Sequence, residues 1–196
     1  MQWSGEGNAH GKIKNFSNVT IDGEADVSFR QADMYSVVVR ANQEVFDYLD
    51  YRLNNKTFTI APEKFVTLNA EVYEVYVQAP WYSQFVVNGS SDLWMTEGYV
   101  SQTPLDVIVN GKANIEFTGV SVPELSIEVY GTAKINLRDV FVNKLFITLN
   151  GSGSVVISGM ADQASFNIAG TGLIDAVDLD CPDIDQKITG TGTIKL

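Results

Sequence analysis

The chain has 196 residues, of which 45% are hydrophobic and 19% charged, so its composition is that of a globular protein and excludes a disordered one. The formal net charge is −11, and the 13 Lys and Arg residues do not cluster, which argues against nucleic-acid binding because phosphates would meet a repulsive field. The single cysteine, Cys181, allows no internal disulfide. No apolar run approaches the roughly 18 residues that a membrane-spanning helix needs.

The less regular strand pattern of residues 1–80 predicts irregular β-coils. The opening segment "MQWSGEGNAHGK" contains no hydrophobic core of a signal peptide, so either the protein is cytoplasmic or a targeting segment is absent from this chain. The segment "VTIDGEADVSF" alternates as a strand around Gly23, which precedes Gly89 by about three periods of the repeat described below. A short helix is predicted within "NQEVFDYLDYRL", where Val45, Phe46 and Leu49 share a helical face.

Residues 81–196 predict a regular repeat marked by glycines. Segments such as "VIVNGKANIEF", "IEVYGTAKINL" and "ITLNGSGSVVI" align on a central glycine, with a period of 19 to 22 residues. A period of this length is typical of solenoids, and the apolar–polar alternation within each unit predicts strands. The aligned glycines are Gly89, Gly111, Gly131, Gly151, Gly170 and Gly190.

These glycines are interpreted as corners at which the strand bends around a narrow core, with their positions facing inward. A second column of inward apolar residues recurs six residues earlier in the later units: Leu105, Leu125, Leu145, Ala164 and Ile184. The predicted fold is therefore all-β, a single-domain β-solenoid over residues 1–196, with about 20 residues per coil and the form of a right-handed parallel β-helix. A separate N-terminal β-domain is the alternative.

Outward positions are the candidates for binding, because the inward ones form the core. Trp94 and Tyr130 fall on the outer phase by alternation, and Trp81 and Tyr99 lie in predicted turns. Aromatic rings with a polar edge are favoured where ligands dock, so these four are the candidate ligand-binding residues. A polar column before the corner glycines, which includes Asp22, Asn88 and Asn110, is interpreted either as a hydrogen-bonded ladder or as a strip that meets sugar hydroxyls.

Catalytic chemistry finds little support in the sequence. The acidic stretch "DAVDLDCPDID", from Asp175 to Asp185, would bind Ca²⁺ if its carboxylates converged, but a solvated acidic turn is the simpler interpretation. The predicted turns are too short to build the cleft of a polysaccharide lyase. The sparse His and Cys residues exclude a Ser, Cys or His triad. We therefore predict no catalytic residues, no metal site and no cofactor.

The chain resembles the putative auto-transporter adhesin, head GIN domain family of bacteria, especially Bacteroidetes. The resemblance is carried by "NVTIDGEADVSFRQADMYSVVVRANQEVFDYLDYRLNNKTFTI", by "EVYVQAPWYSQFVVNGSSDL" and by the G-S-G and G-T-G corners. It implies a β-solenoid related in shape to pectin lyases, export to the cell envelope and a role in adhesion. It transfers no catalytic residue.

The first hypothesis for function is a non-enzymatic adhesin module of the cell envelope or extracellular space, which binds glycans or host or matrix proteins through an outer face. A structural or assembly module of the envelope is the second hypothesis, and a carbohydrate-active enzyme is the third. The final strand "TGTIKL" has no polar cap after it, and a bare edge invites pairing, so a homo-oligomer is also predicted.

Overall fold

Strands dominate the computed structural model, which describes residues 6–8, 13–63 and 72–196. Within these ranges the one helix is α1 (Gln43–Asp47), in the segment where the sequence predicts it, and no helix there is long and apolar enough to cross a membrane. The strands are β1 (Glu6–Asn8), β2 (Asn18–Ile21), β3 (Glu24–Gln31), β4 (Ser36–Ala41), β5 (Leu49–Asn54), β6 (Thr57–Pro62), β7 (Tyr73–Ala79), β8 (Gln84–Val87), β9 (Ser90–Met95), β10 (Tyr99–Val100), β11 (Leu105–Val109), β12 (Lys112–Thr118), β13 (Val120–Val129), β14 (Thr132–Leu149), β15 (Ser152–Ile168), β16 (Thr171–Asp180), β17 (Ile184–Ile188) and β18 (Thr191–Lys195).

Successive coils stack as parallel strands in register. Val107 lies opposite Ile127, which lies opposite Ile147, so that equivalent residues of consecutive repeats are neighbours across the stack. The chain forms a β-solenoid of about six turns with about 20 residues per turn, which confirms the predicted fold class and period. The handedness of the coil stays a prediction.

Each regular coil has two longer faces and one shorter face. The first face contains β8, β11, β17 and the C-terminal parts of β13, β14 and β15. The second face contains β9, β12, β16, β18 and the N-terminal parts of β14 and β15. The short third face begins at β10 and continues through the first residues of β13, the middle of β14 and β15 and the last residues of β16. The strands β14 and β15 therefore run round the corners and belong to all three faces.

The inward columns form one continuous apolar core. Leu105, Leu125 and Leu145 are in register and fully buried, followed by buried Ala164, as the sequence predicts. Ile184, in the same column of the last coil, is only partly buried. Within β12, burial alternates strictly between neighbouring residues, which matches the period of two expected for a strand with one face on the core.

The corner glycines lie between the strands of the first face and those of the second face. Their backbone comes so close to the preceding coil that a Cβ atom on Gly131 would overlap the carbonyl of Gly111, and one on Gly151 would overlap the carbonyl of Gly131. The same corner is tied together by backbone hydrogen bonds, such as that from the Thr132 N–H to the Gly111 carbonyl (2.9 Å). Glycine is therefore required by contact along the stack, not by the narrow core that the sequence interpretation invokes.

The first coils do not stack in chain order. β2 and β3 pair directly with β8 and β9, so a Cβ atom on Gly89 would overlap the Gly23 carbonyl. Gly23 and Gly89 are therefore in adjacent coils, although about three periods of sequence separate them. On the other side of β2 and β3 lie β6 and β7, followed by the antiparallel strands β5 and β4.

One hydrogen-bonded sheet joins both halves of the chain. β2 pairs with β6 on one side and with β8 on the other, and β3 pairs in the same way with β7 and β9. The chain is thus a single domain, and the alternative of a separate N-terminal β-domain is wrong. The division into irregular coils at 1–80 and regular coils at 81–196 stays a prediction.

Candidate functional site

Trp94 lies on the outer surface of the second face, as alternation predicts. It belongs to β9, where it lies opposite Ser28 of β3. On the other side of Ser28 lies Tyr76 of β7. Two large aromatic residues thus flank a small serine in three successive layers of the stack.

Trp94 and Tyr76 line one cleft with a volume of about 330 Å³. The cleft is the size of a small ligand pocket. Its polar wall combines a guanidinium, a carboxylate, an amide and hydroxyl groups, which are the groups that bind the hydroxyls of a polar ligand. These residues are Ser28, Arg30, Ser36, Gln78, Thr96 and Glu97.

The charges around this cleft are paired. Arg30 Nε lies 2.9 Å from Glu97 Oε2, and both side chains are exposed. The hydroxyl of Tyr76 donates to Glu74 Oε2 (2.9 Å), and this hydrogen bond raises the pKa of Tyr76. Arg40 forms an ion pair with the same carboxylate (3.4 Å). The cleft therefore offers many donors and acceptors but no large net charge.

Tyr76 is the candidate residue of this cleft that sequence reasoning missed. Its neighbours Val75 and Val77 are buried, so alternation alone places Tyr76 outward, and 43% of its surface is exposed. What the sequence does not show is that β7 lies two layers from β9. Without that layer order, Tyr76 has no visible relation to Trp94.

Tyr130 is exposed at a corner but lies apart from the Trp94 cleft. Its hydroxyl donates to Glu128 Oε2 (2.6 Å), and 54% of the residue is accessible. Trp81 is partly exposed in the connection between β7 and β8, and it does not line the cleft either. None of the other sequence candidates lines the cleft that Trp94 lines.

Tyr99 is fully buried, so the expectation that it lies in an accessible turn is wrong. Its hydroxyl accepts from the Tyr82 backbone N–H (2.8 Å) and donates to the Tyr82 carbonyl (2.7 Å). The pKa of Tyr99 is raised, chiefly by burial. The physical reason is that the connection before β8 is itself packed on the core and needs a partner for its backbone. Tyr99 is a structural residue.

The polar column at the corners forms a hydrogen-bonded ladder over its first members. The Asn88 side chain donates to Asp22 Oδ1 (2.6 Å), and the Asn110 side chain donates to Asn88 Oδ1 (2.8 Å). This confirms the first of the two sequence interpretations for these three residues. Tyr130 follows them in the column, and its hydroxyl bonds elsewhere.

A second groove, of about 640 Å³, lies on the third face. Its most exposed apolar residues are Val100 (60%), Phe141 (48%) and Met160 (53%). Asp162 and Asp180 also line it, and Asp162 accepts a hydrogen bond from Asn143 (2.7 Å). This groove contains a single aromatic ring, that of Phe141, whereas Tyr76 and Trp94 both line the other cleft.

The carboxylates of the second face and of the Asp175–Asp185 stretch do not form a metal centre. Burial, Asp92 and Glu74 together raise the pKa of Asp26. Asp175 forms an ion pair with Lys195 (3.4 Å), and Asp183 accepts from Gln163 on a different face. In the part of the chain that the structure describes, no group of His, Cys, Asp or Glu residues converges on a possible cation position.

Comparisons with known proteins agree with the fold. The model of the family described as "Putative auto-transporter adhesin, head GIN domain" matches residues 15–196. A solved structure described as a putative lipid binding protein from Parabacteroides distasonis is 20% identical, with a TM-score of 0.81, and the match covers 98% of this chain and 97% of that one. A putative adhesin from Bacteroides fragilis is 13% identical, with a TM-score of 0.72 and 94% of each chain covered. No curated protein matches the chain.

Proposed function

We propose that this chain, which belongs to the putative auto-transporter adhesin, head GIN domain family, is a non-enzymatic adhesion module that binds glycans or host surface proteins through its outer second face. We place it in the bacterial cell envelope or outside the cell, as the family description implies. The observation that carries the proposal is the Trp94 cleft, where two aromatic residues meet a charge-paired polar wall.

The composition of this cleft supports binding more than catalysis. Binding pockets combine apolar or aromatic surface with a few polar groups that fix orientation. A glycosidase would instead need two carboxylates facing each other across the substrate, one of them with a raised pKa. Of the carboxylates near the cleft, Glu97 is paired with Arg30, and Glu74 with Arg40 and Tyr76. The geometry thus favours binding of a ligand that is released without chemical change.

Replacing Trp94 with alanine is expected to weaken ligand binding at least tenfold, because an aromatic anchor in a binding site contributes about 2 kcal/mol or more. The purified chain is tested by biolayer interferometry against mucin glycans, polysaccharides and matrix proteins. Tyr130→Ala is the matched control, since it removes an exposed aromatic ring outside the cleft. Saturable binding that only Trp94→Ala weakens supports the proposal. Absence of binding by folded protein across the panel contradicts it.

A structural or assembly module is the second candidate function. It is favoured by the exposed apolar residues of the third-face groove and by Ile188 of the last coil, of which 44% is accessible. Sedimentation at increasing concentration tests it. Self-association that Phe141→Ser abolishes would support assembly, whereas a monomer at high concentration would count against it.

A further inference from the structure

We infer that the space above Ser28 is a slot for a single uncharged sugar ring, held between the side chains of Tyr76 and Trp94. This inference rests on the proposed function and names the ligand class of the same cleft. It assigns different roles to three residues: two aromatic walls and a small floor. It also makes the size of residue 28, and not only the presence of Trp94, decisive for binding.

The spacing of the layers leaves room for one ring between Tyr76 and Trp94. Neighbouring parallel strands are about 4.8 Å apart, so Tyr76 and Trp94, which are separated by the Ser28 layer, arise from backbone positions about 9.6 Å apart. A ring placed midway would have its centroid about 4.8 Å from the centroid of each aromatic ring when both rings stand out from the sheet above their own strands. Favourable ring contacts have centroid distances of about 4.5–7 Å, so one ring fits between the two walls.

Ser28 forms the floor of the slot between Tyr76 and Trp94. Ser28 is the smallest of the three residues in this column, so it leaves the volume between the two aromatic side chains open. On the far side of Trp94 the next residue in the column is Glu116, which does not line the cleft. The opening is therefore specific to the Tyr76–Ser28–Trp94 column and does not recur in the later coils.

The polar wall decides between kinds of ring. A sugar ring is apolar on its two C–H faces and carries hydroxyls around its edge, so it needs aromatic walls and hydrogen-bonding groups beside them. Arg30, Glu97, Gln78 and Thr96 supply those groups in the adjacent positions of the same cleft. Arg30 and Glu97 bond each other and Gln78 donates to the Met34 carbonyl, but each group keeps further donor or acceptor sites. The aromatic side chain of a partner protein has no edge hydroxyls to meet those sites, which costs about 1–3 kcal/mol for each site that becomes buried.

The charge balance narrows the class to uncharged sugars. Arg30 is paired with Glu97, so no free cation of this pair is available for a carboxylate or sulfate group. The chain as a whole carries a net charge of −11, which disfavours an anionic ligand further. The third-face groove lacks a second aromatic wall and is less suited to such a ring.

The experiment fills the slot while keeping both walls. Ser28→Leu places a branched side chain between Tyr76 and Trp94, and Ser154→Leu makes the same change at an outward position of the same face in a later coil. Both variants and the wild type are titrated calorimetrically with chitotetraose, laminarihexaose and mannohexaose, with a sialylated oligosaccharide and a tryptophan-containing peptide as competing probes. We expect an uncharged oligosaccharide to bind wild type and Ser154→Leu equally, and Ser28→Leu at least tenfold more weakly.

The outcomes separate this inference from the proposed function. Binding that Trp94→Ala weakens but Ser28→Leu leaves unchanged would overturn the slot and leave adhesion through this face intact. Preference for the sialylated probe or the peptide would overturn the ligand class. Absence of binding to every sugar by folded wild type would overturn the inference. If Ser28→Leu does not fold, Tyr76→Ala removes one exposed wall instead, and unchanged sugar binding by that variant would overturn the slot.

Discussion

Replacing Gly131 with alanine is expected to lower the free energy of unfolding by about 3 kcal/mol or more. The backbone at Gly131 is not left-handed, so the loss does not come from dihedral strain. It comes from the new Cβ atom, which would overlap the carbonyl of Gly111 in the coil below. The coil above is equally close, because Gly151 lies against the carbonyl of Gly131. Neither the coil below nor the coil above can move away from Gly131 without breaking the backbone hydrogen bonds between coils. Chemical denaturation followed by circular dichroism measures the change.

Gly190→Ala is the matched control for this prediction. Its Cβ atom would meet the Gly170 carbonyl in the same way, but the strands beside it, β17 and β18, pair on one side only within the described residues. This coil can move outward, so we expect less than half of the loss seen at Gly131. Equal stability of wild type and Gly131→Ala would contradict the close stacking of the corners.

Replacing Tyr99 with phenylalanine is expected to cost about 1–3 kcal/mol of stability and to leave ligand binding unchanged. The change keeps the ring and removes only the hydroxyl, which bonds both the N–H and the carbonyl of Tyr82. Tyr82 is fully buried, so water does not replace the lost partner at either group. Thermal and chemical unfolding measure the loss, and the glycan panel measures binding.

Tyr130→Phe provides the comparison for Tyr99. Its hydroxyl makes a solvent-exposed hydrogen bond to the Glu128 carboxylate, where water substitutes for the lost contact, so we expect no measurable change in stability. A Tyr99→Phe variant as stable as wild type, or one that loses binding while staying folded, would contradict the structural role assigned to Tyr99.

The regular coils could be predicted because two independent periods coincide in the sequence. Glycine recurs about every 20 residues, and apolar residues alternate in a fixed phase around it. Parallel stacking in register then follows. In any other register, a residue with a Cβ atom would take the place of Gly131 or Gly151 against the carbonyl of the neighbouring coil. The same alternation correctly places Trp94 outward.

The order of the first coils could not be predicted. Sequence separation indicates stacking only where the chain winds continuously. Here β6 and β7 stack on one side of β2 and β3, and β8 and β9 stack on the other side, so that Gly23 becomes the neighbour of Gly89. This order also creates the cleft, because it places Tyr76 of β7 two layers from Trp94 of β9. The burial of Tyr99 could not be predicted for a related reason. Its hydroxyl bonds the backbone of Tyr82, and the backbone is the same for every residue type, so the sequence does not indicate this contact.

The most direct test of the account is ¹⁹F NMR of the chain labelled with 5-fluorotryptophan. The sequence contains three tryptophans, so Trp94→Phe and Trp81→Phe assign the resonances. On titration with a bound oligosaccharide, we predict a saturable shift of the Trp94 resonance and little change in that of Trp81. Saturable binding that leaves the Trp94 resonance unmoved would place the ligand elsewhere and contradict the assignment of the binding site to this cleft.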